Sequence, residues 1–395
     1  MNSKIYLDKL LQLQDNFSVK IITGVRGVGK TTLLKMFAEY LKSQGVSDEK
    51  IIFVDLEETE KLSDFQQLYE FVNEKITYLE QAYLLFDEIQ NVKGWENAVK
   101  AFFAGAPVEI YLTGSNEKEL TSKLLKILPD NCDVLQMYPL SFGECANNFP
   151  EVPSEELLKN YLNFGGLPDV VYGSADEKSL RNVLRLIYYE TIFKDVAAKY
   201  ALRDFPLFGS LIKFLAMNLG KPIHPGDVAK YAAKFGQSAT IFSLNNYLEI
   251  LNDLKLFRSI RRWDMNKNSP MNGISSVYCA DMGICNAVLN FKDVDETALL
   301  ENAVCVELWR RGYEVHNGRM GAMSITFFAT KGDDRIYIQV MPTNNKISLG
   351  KIIRPLKKLN GEPYRIVVSL NPVKIKDGIK NITAKDFLTD EQLIP

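Results

Sequence analysis

Between Val19 and Leu112 short runs of β-branched and aromatic residues alternate with longer stretches whose apolar residues recur every three or four positions. The first pattern predicts strands at Val19–Thr23, Ile51–Leu56, Tyr83–Asp87 and Glu109–Thr113. The second predicts helices, among them Lys30–Gln44 and Trp95–Phe103, with Gly45 as a stop signal. Strands and helices in this order build a parallel sheet with crossover helices, so the expected fold class is α/β.

After Pro139 the pattern changes. Ser154–Tyr161 and Ser179–Ala198 read as helices separated by the turn-forming Gly165-Gly166-Leu167-Pro168. From Leu207 three helical stretches lead into an alternating, strand-like run at Leu256–Trp263, an order that resembles a winged helix. The polar, turn-rich Asn266–Gly273 marks a boundary. Beyond it lie a helix at Ala298–Arg311 and strands at Ser324–Ala329, Ile336–Met341 and Tyr364–Ser369. Four domains are therefore expected: 1–145 (α/β), 146–205 (helical lid or linker), 206–266 (winged helix) and 267–395 (a small second α/β domain).

Composition narrows the function classes. At 395 residues, 46% hydrophobic and 24% charged, the chain can bury several cores and is not a disordered polymer. Its net charge of −2 leaves no global excess for nucleic acid or an acidic membrane, so any such binding needs a local patch. No apolar run is long enough to span a bilayer, and the opening MNSKIYLDKL lacks the apolar core of a signal peptide, which makes a cytoplasmic location the expectation. Cys132, Cys145, Cys279, Cys285 and Cys305 are scattered and read as reduced thiols. With only His224 and His316 and no CxxC pair, there is little from which to build a zinc site.

The chemistry is concentrated near residue 30. Gly24-Val25-Arg26-Gly27-Val28-Gly29-Lys30-Thr31 fits G-x-x-x-x-G-K-[ST] directly after a predicted strand and at the start of a predicted helix. The glycines permit a backbone that turns several N–H groups toward phosphate oxygens, and the helix N-terminus adds its positive end. Lys30 is expected to reach the β- and γ-phosphates, Thr31 to hold Mg²⁺ and Thr32 to continue the phosphate-binding turn. Arg26 is open to two roles, a phosphate contact or a surface ion pair.

Tyr83–Glu88 is an apolar strand ending in two acids, at the carboxyl edge of the sheet beside the loop. Asp87 is expected to orient the Mg²⁺ shell and Glu88 to polarise the attacking water. The strand Glu109–Thr113 runs into Gly114-Ser115-Asn116. Asn116 or Ser115 is placed to sense the γ-phosphate, although a polar residue after a strand is also a turn former.

These segments resemble a family of bacterial and archaeal AAA+ ATP-binding proteins that carry a C-terminal domain of unknown function with a restriction-endonuclease-like fold. The likeness rests on Gly24–Thr32, Phe86–Glu96 (FDEIQNVKGWE), Leu112–Asn116, Tyr138–Phe142 (YPLSF), Gly165–Pro168, Lys194-Asp195, Leu300–Asn302 and Glu307–Gly312. It implies ATP binding and hydrolysis, a winged-helix middle and a nuclease-like end. The pattern departs from the family in two places. Where relatives show an E-I-D-F strand followed by E-x-K or Q-V, this chain has Ser324-Ile325-Thr326-Phe327 and Gln339-Val340-Met341. A divalent ion would find too few carboxylates there, Glu307 alone being no substitute, so the module is expected to be catalytically inactive. Where relatives place an arginine before P-L-S-F, Asn131 stands, which implies slow intrinsic hydrolysis or help from another arginine.

The expected recognition helix, Thr240–Asp253, carries no lysine or arginine, which is unlike a duplex reader. Arg258, Arg261 and Arg262 in the wing are the candidate DNA contacts. Packing of this unit against the ATPase domain or against a neighbouring subunit of a homo-oligomer is the favoured alternative, and an unknown protein is the other candidate partner. The chain is thus read as an ATP- and Mg²⁺-dependent P-loop ATPase whose nucleotide state controls its winged-helix and nuclease-like domains. The alternative is a nucleotide-binding scaffold or DNA-binding regulator with little hydrolysis. Lys194 and Asp195 are read as a structural ion pair on an exposed helix.

Overall fold

The computed structural model describes residues 2–395 except 15, 17, 60, 77, 80, 106, 174, 175, 198, 201, 203, 274, 293, 294, 344–347, 360 and 377. The chain divides into two compact units, residues 1–138 and 139–395. The first unit therefore ends seven residues before the expected limit at 145.

In the first unit α1 (Asn2–Gln12) precedes β1 (Val19–Thr23), α2 (Lys30–Ser43), β2 (Ile51–Asp55), α3 (Phe65–Ile76) and β3 (Ala82–Asp87), followed by α4 (Trp95–Gly105), β4 (Val108–Gly114), α5 (Glu117–Leu125) and β5 (Cys132–Gln136). All five strands are parallel, in the order β2-β3-β4-β1-β5. Each of the four predicted strands is present. The fifth, β5, was not foreseen, because an edge strand with half-exposed residues carries no clear apolar run. One face of the sheet packs Leu84, Phe86 and Leu112 against Trp95, Val99 and Phe102 of α4. On β1, Lys20 is fully buried, pairs with Glu109 of β4 at 3.1 Å and lies over the Tyr111 ring. A buried cation is tolerable only with such a partner, so Lys20 costs little while Glu109 is present.

The second unit opens with α6 (Phe142–Asn148), α7 (Ser154–Phe164), α8 (Pro168–Val171) and α9 (Glu177–Glu190), which passes into a π-helical segment, Thr191–Ala197. The predicted end of this helix at Ala198 lies outside the described residues. Lys194 reaches Glu190 at 3.4 Å and the buried Asp195 reaches Lys199 at 3.5 Å, each an ion pair between residues four apart.

Next come α10 (Phe205–Met217), β6 (Pro222–Ile223), α11 (Pro225–Ala233), α12 (Ile241–Asp253), β7 (Phe257–Ile260), β8 (Arg262–Asp264), β9 (Ser269–Pro270) and β10 (Ser275–Cys279). The single strand expected over Leu256–Trp263 is in fact two. β7 joins an antiparallel sheet of order β6-β10-β7, whereas β8 joins a seven-stranded sheet. Continuous alternation in the sequence gives no sign of a change of sheet at Arg261, where the carbonyl accepts from Asn317 N–H. Likewise Asn266–Gly273 spans the β8–β9 hairpin, after which β10 returns to pair with β7. A polar turn inside a hairpin and one between domains have the same composition.

The remainder comprises α13 (Met282–Val288), α14 (Glu296–Arg310), β11 (Glu314–Met320), β12 (Met323–Lys331), β13 (Asp334–Val340), α15 (Leu349–Lys357), β14 (Tyr364–Ser369), β15 (Lys380–Thr383) and α16 (Ala384–Thr389). The seven-stranded order is β15-β14-β13-β12-β11-β8-β9. β11 escaped prediction because it is largely polar and shifts register between His316 and Gly318. Among the described residues no helix is long and apolar enough to cross a membrane.

Gly165–Pro168 is a packed joint. The Gly166 N–H donates to Asp281 Oδ2 at 2.7 Å, and Leu140 N–H donates to the Gly166 carbonyl at 2.7 Å. Asp281, 1% exposed, also caps α13. Burial pushes its carboxyl up to about 6, against the pull of its backbone N–H donors. A folded-state value above the ordinary one favours folding most when the group is protonated. That contribution is complete below about pH 4 and is lost as pH rises through about 6. The stability difference between wild type and Asp281→Asn should therefore change by about 3 kcal/mol between pH 4 and 7, read by denaturant unfolding at each pH. Parallel pH profiles would contradict this.

Candidate nucleotide-binding site

The loop Gly24–Gly29 joins β1 to α2, and its glycines hold geometries that other residues resist. Gly24 has φ +154°, and a Cβ there would lie 2.7 Å from the Met137 carbonyl and 2.9 Å from Val28 Cγ1. Gly29 caps α2 in the left-handed region, φ 100° and ψ 25°. Having no side chain, it cannot cap the N–H groups of the first turn, so Lys30, Thr31 and Thr32 present theirs to an anion at the positive end of a 14-residue helix. Val28 N–H turns back to Val25 O at 3.3 Å, and Val28 packs inward.

Lys30 is 5% exposed. Its Nζ donates to Gly24 O at 3.1 Å and pairs with Glu88 Oε1 at 3.3 Å. Thr31 Oγ1 donates to Asp87 Oδ2 at 2.6 Å. The loop after β1 and the end of β3, one strand apart across β4, are therefore joined through two side-chain pairs at the carboxyl edge of the parallel sheet. Burial raises the Asp87 carboxyl above its ordinary value. The Thr113 and Thr31 hydroxyls and the Lys30 charge oppose this rise, while Glu88 adds to it.

Glu88 adopts a left-handed conformation, φ 53° and ψ 50°, uncommon for a residue with a side chain and often retained where function requires it. Thr113 holds it there: its hydroxyl accepts from Glu88 N–H at 2.8 Å and donates to Asp87 Oδ1. Gln90 Nε2 donates to Glu88 Oε2, and Ser115 Oγ lies 3.5 Å from the same oxygen. Gly114 makes room for Gln90, since a Cβ there would fall 2.3 Å from Gln90 Oε1.

Thr113 and Gln90 were not singled out from the sequence. The signal was slight: Thr113 ends a strand beside the acids, and Gln90 follows Glu88 by two positions. Of the two strand-end candidates, Ser115 reaches Glu88 through its hydroxyl. Asn116 Oδ1 caps α5 by accepting from Glu119 N–H at 2.9 Å. Arg26 pairs with Glu57 at 3.3 Å, and Thr32 faces solvent. Asn131 donates to the Pro129 carbonyl, its own carbonyl accepting from Val19 N–H. For Mg²⁺, Thr31 and Asp87 supply adjacent hard oxygens, the donor type that ion takes together with phosphate oxygens, so the residues fit it.

A glycine loop opening a helix, with paired acids at the end of another strand of the same parallel sheet, defines a P-loop ATPase domain, and residues 16–146 match the family model described as an AAA domain. Residues 155–295 match a domain of unknown function (DUF8612), so that match covers the middle of the chain and ends before α14. An uncharacterized protein of Haemophilus influenzae is 31% identical over 342 residues, 85% of either chain, and this chain belongs to its family. The uncharacterized protein MJ1637 of Methanocaldococcus jannaschii is 25% identical over 222 residues, 48% of this chain and 46% of that one. Among solved structures, the Walker-type ATPase PABY2304 of Pyrococcus abyssi superposes with a TM-score of 0.52 and 16% identity, over 72% of this chain and 95% of that chain. That likeness is one of fold.

Proposed function

We propose that the protein hydrolyses ATP with Mg²⁺, slowly when alone, and that its nucleotide state sets what residues 139–395 bind. The observation that carries this reading is the position of Glu88, 3.3 Å from Lys30 Nζ and fixed through its N–H by Thr113. Bound at Thr31 and Asp87, Mg²⁺ would neutralise charge on the β- and γ-phosphates. The α2 N–H groups hold the phosphates, and Lys30 exchanges Glu88 for phosphate oxygen. Glu88, released from Lys30, takes the proton of the attacking water, while Ser115 and Gln90 orient its carboxylate. With Asn131 where relatives carry arginine, turnover below about 0.1 per second is expected. Phosphate release by the purified full chain, with Mg²⁺ and with chelator, tests this. Mg²⁺-independent release, or many turnovers per second without a partner, would overturn it.

The connectivity α10-β6-α11-α12-β7-β10 supports the winged-helix reading of the middle segment. A protein partner is favoured over duplex DNA. α12 begins with Ile241 and Phe242, 66% and 76% exposed, and Phe235 in the preceding turn is also exposed. Of the three candidate arginines, Arg258 stacks on Trp309 at 4.0 Å and Arg262 is half-buried, which leaves Arg261 as the exposed one. The order α14-β11-β12-β13-α15-β14 supports a nuclease-like module, and Gln339 supports its inactivity. Gln339 Oε1 accepts from the Thr326 N–H and hydroxyl, and its Nε2 donates to the Ser324 and Ile352 carbonyls. Glu307 is engaged by Arg310 and Arg311.

A further inference from the structure

Three segments of the 139–395 unit meet around a cavity of about 330 Å³, within the size range of small-ligand sites. Lys255 and Arg258 come from the α12–β7 connection, Arg261 and Trp263 from the crossing between the two sheets, and Tyr313 and His316 from the α14–β11 turn. Three cations face one carboxylate, Glu314, whose side chain is largely exposed. The cavity is therefore positive, which attracts an anion. Lys255, at φ 58°, is the left-handed residue that closes the C-terminus of α12, where Leu256 N–H returns to the Leu251 carbonyl at 3.1 Å. Arg258 Cζ lies over the Trp309 ring, 4.0 Å from its centroid, a cation–π contact that limits where the guanidinium can move.

Two further residues that line the cavity carry polar atoms left unpaired. Tyr313 and His316 are 3% and 6% exposed, yet neither Tyr313 Oη nor His316 Nδ1 has a hydrogen-bond partner among the described residues. Each such buried group destabilises the fold unless something bonds to it. His316 Nε2 donates to Glu314 Oε1 at 3.1 Å, which makes Nδ1 an acceptor, and burial together with Arg261 holds the ring below its ordinary pKa. An acceptor in a positive cavity selects a ligand that carries both negative charge and an N–H donor. The indole of Trp263, 4.8 Å from the His316 ring, adds an aromatic wall. A bare phosphate uses neither the acceptor nor the wall; a nucleotide uses both.

We infer that this cavity binds a nucleotide, free or as a residue of a single strand, its phosphate on Lys255 and Arg261 and its base beside Trp263 with an N–H edge on His316 Nδ1 and Tyr313 Oη. The site is separate from the phosphate loop and does not depend on the ATPase reading.

The test uses the full chain carrying Lys30→Ala, so that triphosphate binding at the first site does not contribute. It is titrated with AMP, inorganic phosphate and a 5′-phosphorylated trinucleotide, followed by tryptophan emission and calorimetry. AMP or the trinucleotide is expected to saturate one site and bind at least about tenfold more tightly than phosphate. Saturation by AMP identifies the free nucleotide as sufficient, and saturation by the trinucleotide alone identifies a strand. Arg261→Ala should weaken binding by about tenfold. Tyr313→Phe should weaken it severalfold while thermal stability is kept or raised, since that change removes an unpartnered hydroxyl. The inference fails if none of the ligands saturates by about 1 mM, if phosphate binds as tightly as nucleotide, or if both substitutions leave affinity unchanged.

Discussion

Glu88→Gln is expected to slow phosphate release by about 100-fold or more while bound ATP accumulates, because a positioned general base contributes about 10²–10⁴ in rate. The substitution keeps the volume of the side chain and the capacity to accept from Gln90 and Ser115, whose donors already address Oε2. It removes the negative charge that faces Lys30 at 3.3 Å, so ATP affinity should not fall, and Lys30 keeps its bond to the Gly24 carbonyl. Single-turnover phosphate release together with copurifying nucleotide gives the readout. A scaffold without useful hydrolysis would show no difference between the two proteins, and that outcome would remove Glu88 from the chemistry.

Gly166→Ala is expected to destabilise the 139–395 unit by about 3 kcal/mol. A Cβ at this position would stand 2.2 Å from the Leu140 carbonyl oxygen and 3.1 Å from Tyr161 Cε2. The obstacle is backbone that cannot move freely, because Tyr161 Oη and the Gly166–Leu140 bond hold it. Relief by displacement would stretch the Gly166–Asp281 bond and leave a buried carboxylate short of a donor. Gly209→Ala serves as the control: Gly209 lies on α10 with open space around it, so alanine should gain up to about 1 kcal/mol of helix propensity. Denaturant midpoints read through Trp263 and Trp309 compare the two. Equal midpoints for Gly166→Ala and wild type would show that the joint is not tightly packed.

Much of the first unit was legible along the chain, because its signals are local. β1, β3 and β4 are apolar runs in a fully covered parallel sheet, and the phosphate loop is one contiguous stretch whose residue types follow from backbone conformation. Asp87 and Glu88 were recognisable from their place at a strand end. Thr113 and Gln90 were not, since their roles depend on a neighbouring strand and on the left-handed turn at Glu88. In the second unit the separation of β7 from β8, the return of β10 and the burial of Gly165–Pro168 against Asp281 all rest on partners more than ten residues away. The three wing arginines show the same limit: one composition covers a stacked Arg258, an exposed Arg261 and a half-buried Arg262.

By itself the amino-acid order determined the α/β core, the phosphate-binding loop and the paired acids, because glycine conformation, strand periodicity and helix polarity act within a few residues. Only the tertiary structure decided which hydroxyls and amides hold Glu88, that the glycine pair is a closed joint, and that Lys255, Arg261, Tyr313 and His316 border one cavity. Those outcomes depend on sheet order and long-range packing, which bring together groups that no local pattern links.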